Sequence, residues 1–107
     1  MKDKIQIIKE LKEHLISKFG DNIKDVILFG SQAKGTAKEF SDYDVVIILK
    51  NDYDWKYKSR IHDIIYDYEL DNDILVDMHI ISEYELNNTL RGVQPIFIDA
   101  VNEGIYA

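Results

Sequence analysis

The strongest constraint on this chain is a pair of apolar strands with a polar turn between them. Val26 to Phe29 is a continuous apolar run, and it stops abruptly at Gly30-Ser31. Such a run predicts a buried strand. Gln32-Ala33-Lys34 can start a short helix that Gly35 ends. A strand that turns through Gly-Ser into a helix start exposes backbone N–H groups, which suit a phosphate. Gly30 allows close approach and Ser31 adds a hydroxyl. Asp42 and Asp44 follow at the head of a second apolar strand, Val45 to Leu49. Period two puts both carboxylates on one face, where they repel unless a cation neutralises them. A phosphate site opposite paired hard oxygens reads as a place for Mg²⁺ and a nucleotide. The same Asp-x-Asp spacing recurs at Asp52/Asp54 and Asp71/Asp73, but only Asp42 and Asp44 combine the turn before with the strand after. The bland alternative is a surface turn with two solvated aspartates.

Ahead of this unit, Ile5, Ile8, Leu11, Leu15, Ile16 and Phe19 predict an amphipathic helix over 3–19 with Gly20 as its stop. His14 falls on its polar side. Thr36 to Phe40 is a loop, whose Lys38 reads as solvated rather than phosphate-bound. After the second strand, Asp54 is placed to cap a helix to about Glu69, buried along Tyr57, Ile61, Ile64, Ile65 and Tyr68. Tyr53 and Trp55 at its start read as core or partner contacts, with base stacking as the sharper alternative. Asp63 and Asp67 lie four apart on this helix, which fits either a solvated face or a docking face for a basic partner.

Ile74 to Ile81 predicts a third strand, interrupted by Asp77 and His79. An aspartate in such a run is costly to bury unless paired or metal-bound, which makes Asp77 the natural third carboxylate. Asp73, before the run, needs only a solvated turn. His79 shares a face with Asp77 and reads as a hydrogen-bonded edge histidine, or else as part of the site. Ser82 and Glu85 form a capping box for a helix to about Arg91, broken at Gly92. Pro95 opens a last helix, with Ile96, Phe97, Ala100 and Val101 inward, that ends at Gly104. Three or four helices and at least three strands in this order predict an α/β architecture, a mixed sheet with helices backing one face.

At 107 residues the chain is expected to form one small domain spanning 1–107. The absence of cysteine excludes disulfides and thiolate zinc sites, and His14, His62 and His79 are too scattered for a histidine cluster. No apolar run is long enough to span a bilayer and no leader pattern is present, so a cytoplasmic location is expected. The net charge of −7 argues against stable nucleic-acid binding. It is compatible with a nucleotide delivered with Mg²⁺, and with a basic protein partner.

Gly30-Ser31, the ten-residue gap and Asp42-x-Asp44 resemble the signature of the polymerase-beta-like nucleotidyltransferase superfamily. With Ser41 before the aspartates and the ending from Pro95 to Gly104, the chain is similar over most of its length to the minimal nucleotidyltransferases of HEPN toxin–antitoxin pairs. The family often has arginine where this chain has Lys34, which keeps the charge without the bidentate fork. The resemblance implies the palm-like fold, two Mg²⁺ ions held by Asp42, Asp44 and Asp77, and nucleotide phosphates held by Gly30, Ser31 and Lys34. It further implies ATP as AMP donor and a tyrosine hydroxyl of a HEPN toxin as acceptor, making the chain an antitoxin. A binding module that neutralises by contact alone is the alternative. A small-molecule nucleotidyltransferase of the antibiotic-modifying kind is a further one, although its relatives usually carry an added helical domain.

Overall fold

The computed structural model describes residues 2–35 and 42–107. Helix α1 (Lys4–Phe19) starts at Asp3, whose carboxylate accepts from the Gln6 N–H at 2.8 Å. It ends at Gly20, whose φ of 63° lies in the region glycine tolerates best. The buried stripe is Ile7, Ile8, Leu11 and Leu15, while Ile5 and Ile16 are exposed. It is rotated by part of a turn from the expected one, because with an isoleucine at 5, 7, 8 and 16 the apolar pattern admits more than one face.

Strand β1 (Ile23–Phe29) runs straight into α2 (Gly30–Lys34), and β2 (Tyr43–Leu49) returns antiparallel beside it. Helix α3 (Trp55–Asn72) is capped by Asp54, which accepts from the Tyr57 N–H at 2.8 Å. It ends at Asn72, three residues beyond the expected Glu69, and Asp73 follows in the left-handed region, a turn residue as the sequence suggests. Strand β3 (Val76–Ser82) then lies parallel to β2. The fold closes with α4 (Glu83–Asn88), a 3₁₀ turn over Leu90–Val93, α5 (Pro95–Glu103) and a two-residue strand β4 (Ile105–Tyr106) against β1. The sheet order is β3-β2-β1-β4, mixed as expected.

Two apolar clusters arise from strand alternation. Val26, Leu28, Val45, Ile47, Leu49 and Ile80 pack with α1 and α3. Ile27, Val46, Ile48 and Ile81 face the other way and pack with Phe97 and Ala100 of α5. Helices thus cover both faces, not one. Each strand residue here is apolar on either side, so periodicity alone could not tell a two-sided strand from a one-sided one. The second face also carries Phe29, which packs against this second cluster, and beyond it Asp44, Asp77 and His79.

Ser82 fastens β3 to α4. Fully buried, its hydroxyl donates to Asp52 Oδ1 at 3.1 Å and accepts from the Glu85 N–H at 3.1 Å. Glu85 Oε1 accepts in return from the Ser82 N–H at 3.2 Å, completing the capping box. Arg91 adds bonds to Glu85 at 3.1 Å and to the Tyr53 hydroxyl at 2.7 Å. Ser82→Ala should lower stability by about 1–2 kcal/mol, from a lost cap and an orphaned N–H. Urea unfolding would show a lower midpoint with an unchanged slope.

Candidate active site

The site lies where three strands meet in register. Phe29 pairs with Asp44, and Asp44 pairs with Asp77. Because β2 and β3 are parallel and in step, the two aspartates stand side by side on one face. Asp42 precedes β2 by one residue and is exposed. Burial is the main cause that pushes the Asp44 carboxyl above the usual range. Repulsion from Asp77 adds to it, His79 partly offsets it, and Asp42 contributes further. Asp44 and Asp77 are close enough to share a hydrogen bond when one is protonated. The structure therefore sets Asp44 and Asp77 side by side, with Asp42 one residue ahead of β2 and near enough for its charge to act on Asp44. Asp77 differs from expectation in one respect: its side chain is 56% exposed rather than buried, because β3 is an edge strand and its residues have water on one side.

Gly30 has φ of +73°, and a Cβ placed there would stand 2.5 Å from Asp44 Oδ2. The Asp44 carboxylate thus lies against the turn, which joins the two halves of the sequence motif. Phe29 supplies no side-chain cap to α2, and Gly35 closes the helix in the left-handed region. Lys4 of α1, to which sequence reasoning gives no role, donates to the Gln32 carbonyl at 3.1 Å and reaches the Ala33 carbonyl at 3.5 Å. Its position 28 residues away in sequence hides it. Ser31 is half-buried in the turn and Lys34 is exposed. A cleft of about 290 Å³ runs from Gly30, Ala33 and Lys34 to Ile96, Asp99 and Glu103 of α5. The sequence does not single out the two acidic residues of α5, since on a helix they match an ordinary solvated face.

His79 is the second departure. Its Nε2 is buried without a hydrogen-bond partner, 3.6 Å from Asp77 Oδ2, and its ring meets that of Phe29 at 6.0 Å between centroids. It lines the site and is not the hydrogen-bonded edge histidine that its sequence position suggests. Trp55 is 74% exposed at the start of α3, on the side of the sheet where β2 ends, and it takes no part in the site. Tyr53 bonds the Ile80 carbonyl at 3.1 Å and packs into the first cluster. Base stacking by either is not supported. His14 is exposed, edge-on to Tyr68. Ser41 and Lys38 lie outside the described residues.

Residues 8–106 match the family described as the nucleotidyltransferase domain, and the chain belongs to that family. It is a nucleotidyltransferase. It is 43% identical over 67% of its length to a protein of Methanocaldococcus jannaschii named as a candidate protein adenylyltransferase, covering 73% of that protein. A second protein of that organism with the same description is 34% identical over 81% of this chain, which spans 64% of the relative's length. The fold resembles a candidate nucleotidyltransferase from Sulfolobus solfataricus, with TM-score 0.59, 20% identity, and coverage of 95% and 77% of the two chains. It also resembles a mutant toxin–antitoxin structure, MntA–HpeT, with TM-score 0.58, 16% identity, and coverage of 92% and 69%. Both likenesses show the shared palm-like fold.

Two outcomes are expected from the contacts at Asp44. Its carboxyl is raised in the fold above its ordinary 3.8, so it opposes folding at neutral pH and ceases to do so once pH falls below that ordinary value. Asp44→Asn should therefore melt higher than the parent at pH 7 without divalent cations, and the gap should close near pH 3 in thermal scans. Gly30→Ala should cost about 1–2 kcal/mol for a left-handed alanine and displace the Asp44 carboxylate. Mg²⁺ titration followed by calorimetry should show weakened binding beyond that expected from the stability loss.

Proposed function

We propose that this chain transfers AMP from Mg·ATP to a hydroxyl of a protein, a tyrosine of a HEPN-type toxin partner, and so acts as an antitoxin. The observation that carries the reading is the Asp44–Asp77 register against the Gly30 turn. The description of its relatives as candidate protein adenylyltransferases supports the donor and acceptor class. The resemblance of the fold to a toxin–antitoxin structure supports the partner class.

Asp42, Asp44 and Asp77 would hold the metal. Among the described residues no three His, Asp or Glu side chains stand close enough together to hold an ion as they are. The fit rests on donor chemistry: hard carboxylate oxygens, with Asp44 opposed by its neighbours' charge in a way a cation relieves. Bound there, two Mg²⁺ ions would supply charge neutralisation and Lewis acidity at the triphosphate and the acceptor oxygen. The remaining roles belong to this chain. The Gly30 and Ser31 backbone N–H groups and the Ser31 hydroxyl hold the outer phosphates, and Lys34 adds positive charge beside the cleft. Lys4 fixes the far end of the same turn. Asp77, exposed at the sheet edge, accepts the acceptor hydroxyl's proton and passes it to solvent. The hydroxyl oxygen forms a bond to the α-phosphorus while the bond from that phosphorus to the β-phosphate's bridging oxygen breaks. Pyrophosphate leaves with the electron pair. Placement and charge complementarity provide the acceleration.

Incubation with Mg²⁺, α-labelled ATP and the neighbouring gene product should label the neighbour. Asp42→Ala should reduce that label by at least about a hundredfold, in line with loss of a charge-stabilising group. A stable complex that neutralises the toxin without label, and equally well with Asp42→Ala, would instead establish contact-only neutralisation. Label on neither protein and no complex would point to a small-molecule acceptor.

A further inference from the structure

Strand β3 is the open edge of the sheet beside the site, and its backbone is covered at three points only among the described residues. The Leu75 carbonyl accepts from Tyr43 of β2, so residues of odd number face inward and those of even number face out. Outward groups are taken at Val76, whose N–H donates to Glu69 at 2.9 Å, and at Ile80, whose carbonyl accepts from the Tyr53 hydroxyl at 3.1 Å. Ser82 N–H is held by Glu85. Between these points the N–H and carbonyl of Met78 face out, with no partner among the described residues. A groove of about 370 Å³ runs along this stretch between β3 and α3, lined by His62, Asp63, Tyr66, Glu69 and Met78 and ending at Asp77.

We infer that this groove receives the acceptor polypeptide as an added strand paired at Met78, with a basic residue next to the hydroxyl-bearing one. The inference rests on the protein-hydroxyl reading above and names how such an acceptor is held. Edge addition provides main-chain hydrogen bonds, and side-chain pockets on alternate sides provide selectivity. A residue opposite Asp77 would point its side chain to the carboxylate face. Its neighbour opposite Met78 would point to the α3 side, where Asp63 and Glu69 favour a cation and Tyr66 offers exposed apolar surface. Asp67, one helical turn from Asp63, extends the same charge.

The test uses short tyrosine peptides with a lysine or a glutamate beside the tyrosine, and phenylalanine counterparts that bind without reacting. The intact protein with Mg·ATP should label the lysine peptide at least about tenfold faster, and bind its phenylalanine counterpart at least about tenfold tighter, than the glutamate forms. Asp63→Lys, on an exposed helix face, should shrink or invert that ratio. Met78→Pro removes an outward donor and no bond to β2. It should weaken peptide binding about tenfold while Mg·ATP affinity stays within about twofold. Equal binding of lysine and glutamate peptides to the parent, or unchanged binding to both variants, would overturn the groove. Selective binding, lost in Met78→Pro but with no label on any peptide, would keep the groove and overturn the protein-hydroxyl reading instead.

Discussion

The register between β2 and β3 governs everything at the site. Seven consecutive pairs, from Tyr43–Val76 to Leu49–Ser82, run without a shift. A slip of one residue would turn Asp77 to the α1–α3 face and replace a carboxylate pair with a carboxylate buried among isoleucines. The ladder holds because both strands present apolar residues to both faces at its lower end, where Val46, Ile47, Ile48, Ile80 and Ile81 are buried. The charged end is therefore carried by the apolar end.

That division explains how a small domain tolerates a repulsive group of carboxylates. The core runs from Ile7 and Leu11 of α1 to Phe97 of α5, and truncating one such buried side chain costs about 2–5 kcal/mol. The electrostatic opposition at Asp44 is a local cost, offset by packing elsewhere, and it disposes the site toward a cation. Pre-placed like charges of this kind trade stability for function.

Most of the site is legible in the sequence because its elements are contiguous. Gly30, Ser31, Asp42 and Asp44 sit within fifteen residues, and each strand that carries a carboxylate announces itself by apolar run length. Asp77 is legible because a charge stands out in an apolar strand, although burial is not what it signals: the edge position leaves it wet. Partners from distant segments are what the sequence could not display. Lys4 meets α2 across 28 residues, Asp99 and Glu103 wall the cleft from the last helix, and the His79 Nε2 is buried without a hydrogen-bond partner beside the Phe29 ring. The two-residue β4 falls below any periodic signal, and the second apolar face is hidden because strands buried on both sides lose their alternation.

The Lys4 contact carries a consequence for motion. An ammonium that bonds the last carbonyls of a five-residue helix ties the opening turn of α1 to the turn that would hold phosphate. Short helices fray readily, and their ends open with little free energy. A ligand that orders α2 would pull Lys4 into a longer-lived geometry, and the first turn of α1 with it. The amino-terminal helix then becomes a reporter of occupancy, its amide hydrogens exchanging more slowly in the loaded protein although no atom of that helix's backbone need touch the nucleotide.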